Sequence, residues 1–311
     1  MFMTFRKFSL SQLLLPALFA VLLSVAPGLA ATDTSAQKSF ASPEEAVKSL
    51  VQAARSNDTT ELAAILGPGS QDILSSGDPV ADKSGRERFV SLYDEKIVIE
   101  GAETGWAVLS LGNEDYPFPI PVVKDGDVWR FDTEAGREEL LNRRIGRNEL
   151  EVIDVLRAYV DAQREYAATD WDGDGAVEFA QQIRSTPGKK DGLYWSAKEG
   201  EQESPLGPLA AEAAQEGYAK ENTALYGYRY RILKAQGQDA AGGDFDYLVN
   251  GKMILGFALV AYPVQYGASG IMTFIVNHNG IVFQKDLGEN SAGLAAAMEI
   301  FNPDAGWNRV D

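Results

Sequence analysis

The sequence predicts an α+β protein built in two halves, on three observations. Each half opens with apolar residues at helical spacing, and each closes in short strand-like runs separated by turn residues. Gly146-Arg147 interrupts the chain between them. A hydrophobic share of 45% with 23% charged residues is ordinary globular composition.

The elements follow in chain order. Residues 1–30 carry Arg6 and Lys7, then an uncharged Leu-, Ala- and Val-rich stretch broken by Pro16, then Gly28-Leu29-Ala30. That three-part layout predicts a signal peptide cleaved after Ala30, with no stable membrane insertion afterwards. In the first half, residues 31–146, Ser42, Pro43 and Glu45 form a capping box ahead of Ala46, Val47, Leu50, Val51 and Ala54. A second helix starts at Asp58 or Thr59 and stops at Gly67-Pro68, and a third centres on Arg86–Tyr93. Strands follow at Trp106–Leu109, Pro119–Val123 and Val128–Phe131, the last two joined by the turn Lys124-Asp125-Gly126-Asp127. A short helix over Thr133–Ile145 ends the first half, broken at Gly146-Arg147, and in the second half, residues 147–311, a long helix runs from Asn148 to about Ala168. Short helices are expected near Val177–Ile183 and Leu209–Ala214. Strands are expected at Tyr226–Leu233, Tyr247–Val249, Met253–Tyr262, Met272–Val276 and Ile281–Lys285, with Asn250-Gly251 and Asn279-Gly280 as type I′ turns.

Helices followed by a curved meander resemble the cystatin-like folds of the nuclear-transport-factor-2 type. A long helix followed by the Gly227–Tyr230 strand and a meander is similar to the globular part of pilins, although a pilin helix begins at the processed N-terminus.

Charge and residue counts exclude several functions. With 28 Lys+Arg against 45 Asp+Glu the net charge is −17, and removal of residues 1–30 takes away Arg6 and Lys7 and leaves −19. That balance argues against a nucleic-acid partner, which needs clustered cations for its phosphates. No Cys means no disulfide, thiolate site or Cys nucleophile, and one His makes any Ser-His-Asp triad depend on His278. His278 reads as a solvent-facing turn residue, and Ser269 lacks the nucleophile-elbow spacing.

The sharpest motif is Asp170-Trp171-Asp172-Gly173-Asp174-Gly175. Alternating carboxylates with a turn glycine match the first half of a calcium loop, in which Asp170, Asp172, Asp174, the Ala176 carbonyl and Glu178 would be ligands. Gln181 stands where a bidentate Glu belongs. The rival reading is an acidic turn capping a helix at Val177. Trp171, Tyr194 and Trp195 form either a stacking surface for a sugar or peptide or a plug in the core. Glu178 and Asp191 are the candidate carboxylate pair for glycoside hydrolysis.

Several strings in order carry a wider resemblance: R-R-I-G-R-N-E-L at 143–150, A-Y-V-D-A-Q-R-E-Y at 158–166, D-G-L-Y-W at 191–195, S-P-L-G-P-L at 204–209, G-K-M-I-L-G-F-A-L-V-A-Y-P at 251–263, Y-G-A-S-G at 266–270 and T-F-I-V-N-H-N-G at 273–280. Together they resemble the bacterial family called domain of unknown function 2950. The resemblance implies an exported protein of the Gram-negative periplasm and carries no catalytic residues. The sequence-level expectation is a non-enzymatic binding or scaffold module, with calcium as its candidate cofactor and a cell-envelope protein or glycan as partner. A cell-envelope hydrolase and a pilin-like assembly subunit are the alternatives.

Overall fold

The computed structural model describes residues 37–197, 200–216, 218 and 224–310, all within one unit that starts at Ser35. The expected signal peptide lies outside the described residues. Seven helices and several antiparallel sheets among them make the protein α+β.

Helix α1 (Pro43–Arg55) starts at Ser42, whose hydroxyl accepts from Glu45 N, while the Glu45 carboxylate returns to Ala41 N rather than to the cap itself. Asp58 caps α2 (Thr59–Leu66). A four-residue turn of helix, α3 (Gln71–Leu74), precedes α4 (Pro79–Glu95). The latter begins well before Arg86 because Asp78 caps it and Pro79 supplies a preset φ at its first turn. Strands β1 (Ile97–Glu100), β2 (Trp106–Leu111), β3 (Tyr116–Asp125) and β4 (Val128–Phe131) make an antiparallel meander in that order. Trp129 and Phe131 face inward while Val128 and Arg130 face out, the period-two alternation of a half-buried strand. Ala46, Leu50, Ile65, Leu109, Ile120 and Phe131 form the first core.

The expected break at Gly146 is absent. Helix α5 runs unbroken from Thr133 to Tyr166, 34 residues. A glycine in a helix interior costs about 1 kcal/mol against alanine, too little to stop a helix that both neighbouring cores hold. Leu140 packs on the first core and Val152 on the second, so the expected 146/147 boundary falls inside a shared element.

After α5, no regular element appears among described residues until α6 (Gly207–Glu216). The expected helix at Val177–Ile183 is absent and the segment is irregular: Phe179 N bonds the Met253 carbonyl, and Ala180 bonds Gln163 through both its N–H and its carbonyl. Strand β5 (Tyr228–Leu233) follows, then two small hairpins, β6 (Ala235–Gln236) with β7 (Phe245–Asp246) and β8 (Leu248–Val249) with β9 (Lys252–Met253). Strands β10 (Ala258–Pro263), β11 (Met272–Asn277) and β12 (Val282–Asp286), helix α7 (Ser291–Ala297) and β13 (Asn308–Arg309) complete the chain. The second sheet has the order β13-β12-β11-β10-β5, antiparallel throughout. Helices α5 and α7 both pack on it, which explains why β10 and β11 read as continuous apolar runs.

The single strand expected over Met253–Tyr262 is split between β9 and β10. Gly256 passes beneath Tyr247 and His278, where a Cβ would lie 2.6 Å from the imidazole, and Ile254 and Leu255 point outward. Asn250 and Gly251 have φ of 53° and 84°, as a type I′ turn requires, but Asn279 does not take positive φ, and that turn closes by Gly280 N on the Asn277 carbonyl.

Candidate functional site

The acid loop folds as its glycines allow. Gly173 and Gly175 both have positive φ, and their N–H groups donate to the two oxygens of Asp170 at 2.8 Å. Asp174 accepts from Ala176 N. One ligand atom from each of Asp170, Asp172 and Asp174 lies within 4.8 Å of the others. Lys252, on the first residue of β9, brings its ammonium into the same place. It is 3.2 Å from Asp172 and 3.6 Å from Glu178 and pairs closely with Asp174. The hydrogen bond to Lys252 lowers the Asp174 pKa, backbone donation from Gly175 lowers that of Asp170, and the carboxylates raise that of Lys252. No helix follows the loop, so its carboxylates do not cap one.

The aromatic residues are brought together. Trp171 and Trp195 meet edge to face at 5.0 Å, Tyr166 lies 5.7 Å from Trp171, and the Lys190 ammonium stands over both indoles at 5.0 and 5.2 Å. Both indole N–H groups donate to backbone carbonyls, Trp171 to Tyr166 and Trp195 to Gln202. Tyr194 carries Arg184 over its ring. All three pack on the second core.

Glu178 and Asp191 share a neighbourhood. Burial pushes the Tyr166 hydroxyl up to about 12, with both carboxylates and Asp172 adding to it. The Asp191 carboxylate binds Thr186 N and Thr186 Oγ1, which help hold its pKa below the usual value. A general acid at neutral pH needs the opposite shift.

His278 is not solvent-facing. Its ring packs edge-on against Tyr247 and Phe257, burial lowers its pKa, and its Nδ1 is buried with no hydrogen-bond partner. Ser269 is buried, with its hydroxyl on the Gln265 backbone.

A further site lies in the first half, where an apolar pocket of about 320 Å³ opens between α1, α2, α4, the concave sheet face and α5. Leu50, Leu62 and Ile120 form part of its floor. One wall is the α4 stripe Asp82, Gly85, Arg86, Phe89 and the other is the α5 stripe Leu140, Arg143, Arg144, Arg147, both at the spacing that aligns side chains on one helix face. Helix α4 spans 17 residues yet has none fully buried: Phe89, Val90 and Tyr93 pack on the first core only in part, and the pocket opens beside them.

The family model described as "Protein of unknown function (DUF2950)" matches residues 37–310, nearly the whole chain. The chain belongs to the DUF2950 family. No curated protein and no solved structure matches it. In this DUF2950 protein Lys252 and the pocket arginines are functional candidates that no local motif marks. The signal for Lys252 was its place one residue after the Asn250-Gly251 turn. For the pocket it was two arginine clusters, 86/88 and 143/144/147, in a chain of net charge −17.

Proposed function

We propose that this DUF2950 protein is an exported, non-enzymatic binding module that works in the periplasm and seats the apolar part of a small ligand in the pocket beneath α4. The observation that carries this reading is the pocket itself. Its volume of about 320 Å³ falls at the lower end of the roughly 300–1,000 Å³ range of small-molecule sites, and its floor is apolar. A ligand with an apolar body would bury the apolar lining of this pocket, a transfer from water worth about 25 cal/mol per Å². The acid loop belongs to this reading as a structural clamp whose cation is the Lys252 ammonium, with calcium a competitor for the same carboxylates.

The neutral probe N-phenyl-1-naphthylamine tests the pocket. Saturable fluorescence enhancement at one site per chain is the expected outcome. Gly85 lines the pocket with open space where its Cβ would be, and it sits in a helix interior. Gly85→Phe therefore adds a ring to the mouth at no helix cost. Its enhancement should fall at least tenfold while its melting midpoint stays equal or rises. Equal enhancement in Gly85→Phe would refute the pocket reading. Intact-mass measurement of protein from a periplasmic extract checks export: the expected chain starts at Ala31.

A further inference from the structure

The charges around the pocket are the reverse of those on the rest of the chain. Acids outnumber bases 45 to 28 overall, yet the pocket is lined by Arg86, Arg88, Arg143, Arg144 and Arg147 against the one acid Asp82. Asp82 is turned to Ser76, from which it accepts two backbone and side-chain bonds, and burial raises its pKa. It is the one carboxylate set against five guanidinium groups in the pocket lining. Arg143 is paired with Glu139. Arg86, Arg88, Arg144 and Arg147 form no close ion pair with a carboxylate among the described residues, although Asp82 acts on Arg86 and Arg144, and Glu151 on Arg147, at longer range. Arg144 is well buried and donates to the Asp72 and Ile73 carbonyls, and Arg86 donates to Asn57 and to the Leu74 carbonyl. These are neutral acceptors, so both guanidinium groups keep their full charge. The side chains of Arg88 and Arg147 make no hydrogen bond or ion pair among the described residues. Burial lowers the Arg144 pKa; Asp82 opposes that shift by attraction, and Arg147 and Arg86 add to it by repulsion.

Arginines from α4 and α5 line the mouth of an apolar cavity with positive charge in excess, which favours an anion there. Guanidinium groups suit carboxylate and phosphate oxygens geometrically, and their attraction strengthens beside low-dielectric walls.

We infer that the ligand of the pocket is a single-chain anionic amphiphile, with its alkyl tail on the Leu50, Leu62 and Ile120 floor and its carboxylate or phosphate head among Arg86, Arg88, Arg144 and Arg147. This rests on the pocket reading above and names the chemical class that the site takes. Fatty carboxylates and single-chain lipid phosphates share that chemistry.

Displacement of N-phenyl-1-naphthylamine from the full mature chain by decanoate, decyl phosphate, decanol and decyltrimethylammonium, all below their micelle concentrations, tests it. Decanoate or decyl phosphate should displace the probe at concentrations at least tenfold below decanol and below the cation, and the better of the two names the head. Added salt should narrow the gap. Arg88→Glu/Arg147→Glu, two exposed changes that leave the helices intact, should weaken displacement by the anion at least tenfold while the probe still binds. Decanol as effective as the anions would overturn the inference and leave the pocket reading standing. Failure of the probe and all four amphiphiles to bind would remove both. Equal binding of inorganic phosphate and decyl phosphate, or binding only to anionic phospholipid vesicles, would also overturn it.

Discussion

Lys252 shows how one side chain decides what a motif does. Asp170, Asp172, Asp174 and Glu178 concentrate negative charge in one tight loop, and the ammonium of Lys252 supplies the positive charge that lets them remain together. Replacing it by Lys252→Met should lower the melting midpoint by a few degrees, since the carboxylates then repel without a partner. Millimolar calcium should raise the midpoint of the variant more than that of the wild type, because weak extracellular sites work at about 10⁻⁴ to 10⁻³ M. Differential scanning calorimetry with and without calcium reads both effects, and an equal calcium response in the two proteins would refute the competition. The lowered pKa values of Asp170 and Asp174 set the pH direction. Their contribution is complete above the ordinary Asp value of 3.8 and is lost as pH falls through the lowered values. The carboxylates and turn glycines of this loop were legible from spacing alone. Lys252 was not, because it lies some eighty residues away and reaches the loop only through the β8–β9 hairpin.

At the scale of elements, α5 is the test case. Gly146 lies in its exposed interior, and a Cβ there meets nothing within 4 Å, whereas a Cβ on Gly136 would come 2.5 Å from the Pro119 carbonyl. Gly146→Ala should therefore stabilise the protein by about 0.5–1 kcal/mol, through helix propensity and a less flexible unfolded chain. Gly136→Ala should destabilise it by about 1–3 kcal/mol or more, because the helix must lift off β3. Urea unfolding of both variants reads the two signs, and a destabilising Gly146→Ala would show that the helix is interrupted there. Local signals found most elements: the Ser42 cap, the Asp58 cap and the Val128–Phe131 strand stand where residue patterns place them. Those signals failed where a distant partner overrules propensity. Val177–Ile183 is not helical because Gln163 and Met253 take its backbone groups, and Gly256 interrupts a strand because two rings lie above it.

Across the whole molecule the two cores are tied by more than α5. Asp78 is fully buried and its carboxylate caps α4 through Val80 N and Ala81 N on one oxygen. With the other oxygen it accepts from the Tyr218 hydroxyl and Gly227 N at 2.8 Å, on the far side of the chain. In the middle of α5, Glu149 receives Ile271 N and Met272 N, and Asn148 donates to the Ser269 carbonyl. Asp78→Ala should cost about 3 kcal/mol or more, combining a helix cap of about 1 kcal/mol with two buried donors at about 1–3 kcal/mol each. Thermal unfolding should show one transition in the wild type and a midpoint lowered by several degrees in the variant. A shift within a degree would mean that the two cores are not coupled there. Read alone, the chain yields the α+β class, the family, the Ser42 and Asp58 caps, the Asn250-Gly251 turn, and the exclusion of thiol and multi-histidine chemistry, since residue patterning, composition and short-range hydrogen bonding settle these. Only the tertiary structure decided that Gly146 continues a helix, that Lys252 closes the acid loop, that Asp78 joins the cores, and that arginines from α4 and α5 meet over an apolar cavity. Each of these depends on which distant residues share a surface, and periodicity along the chain carries no record of that.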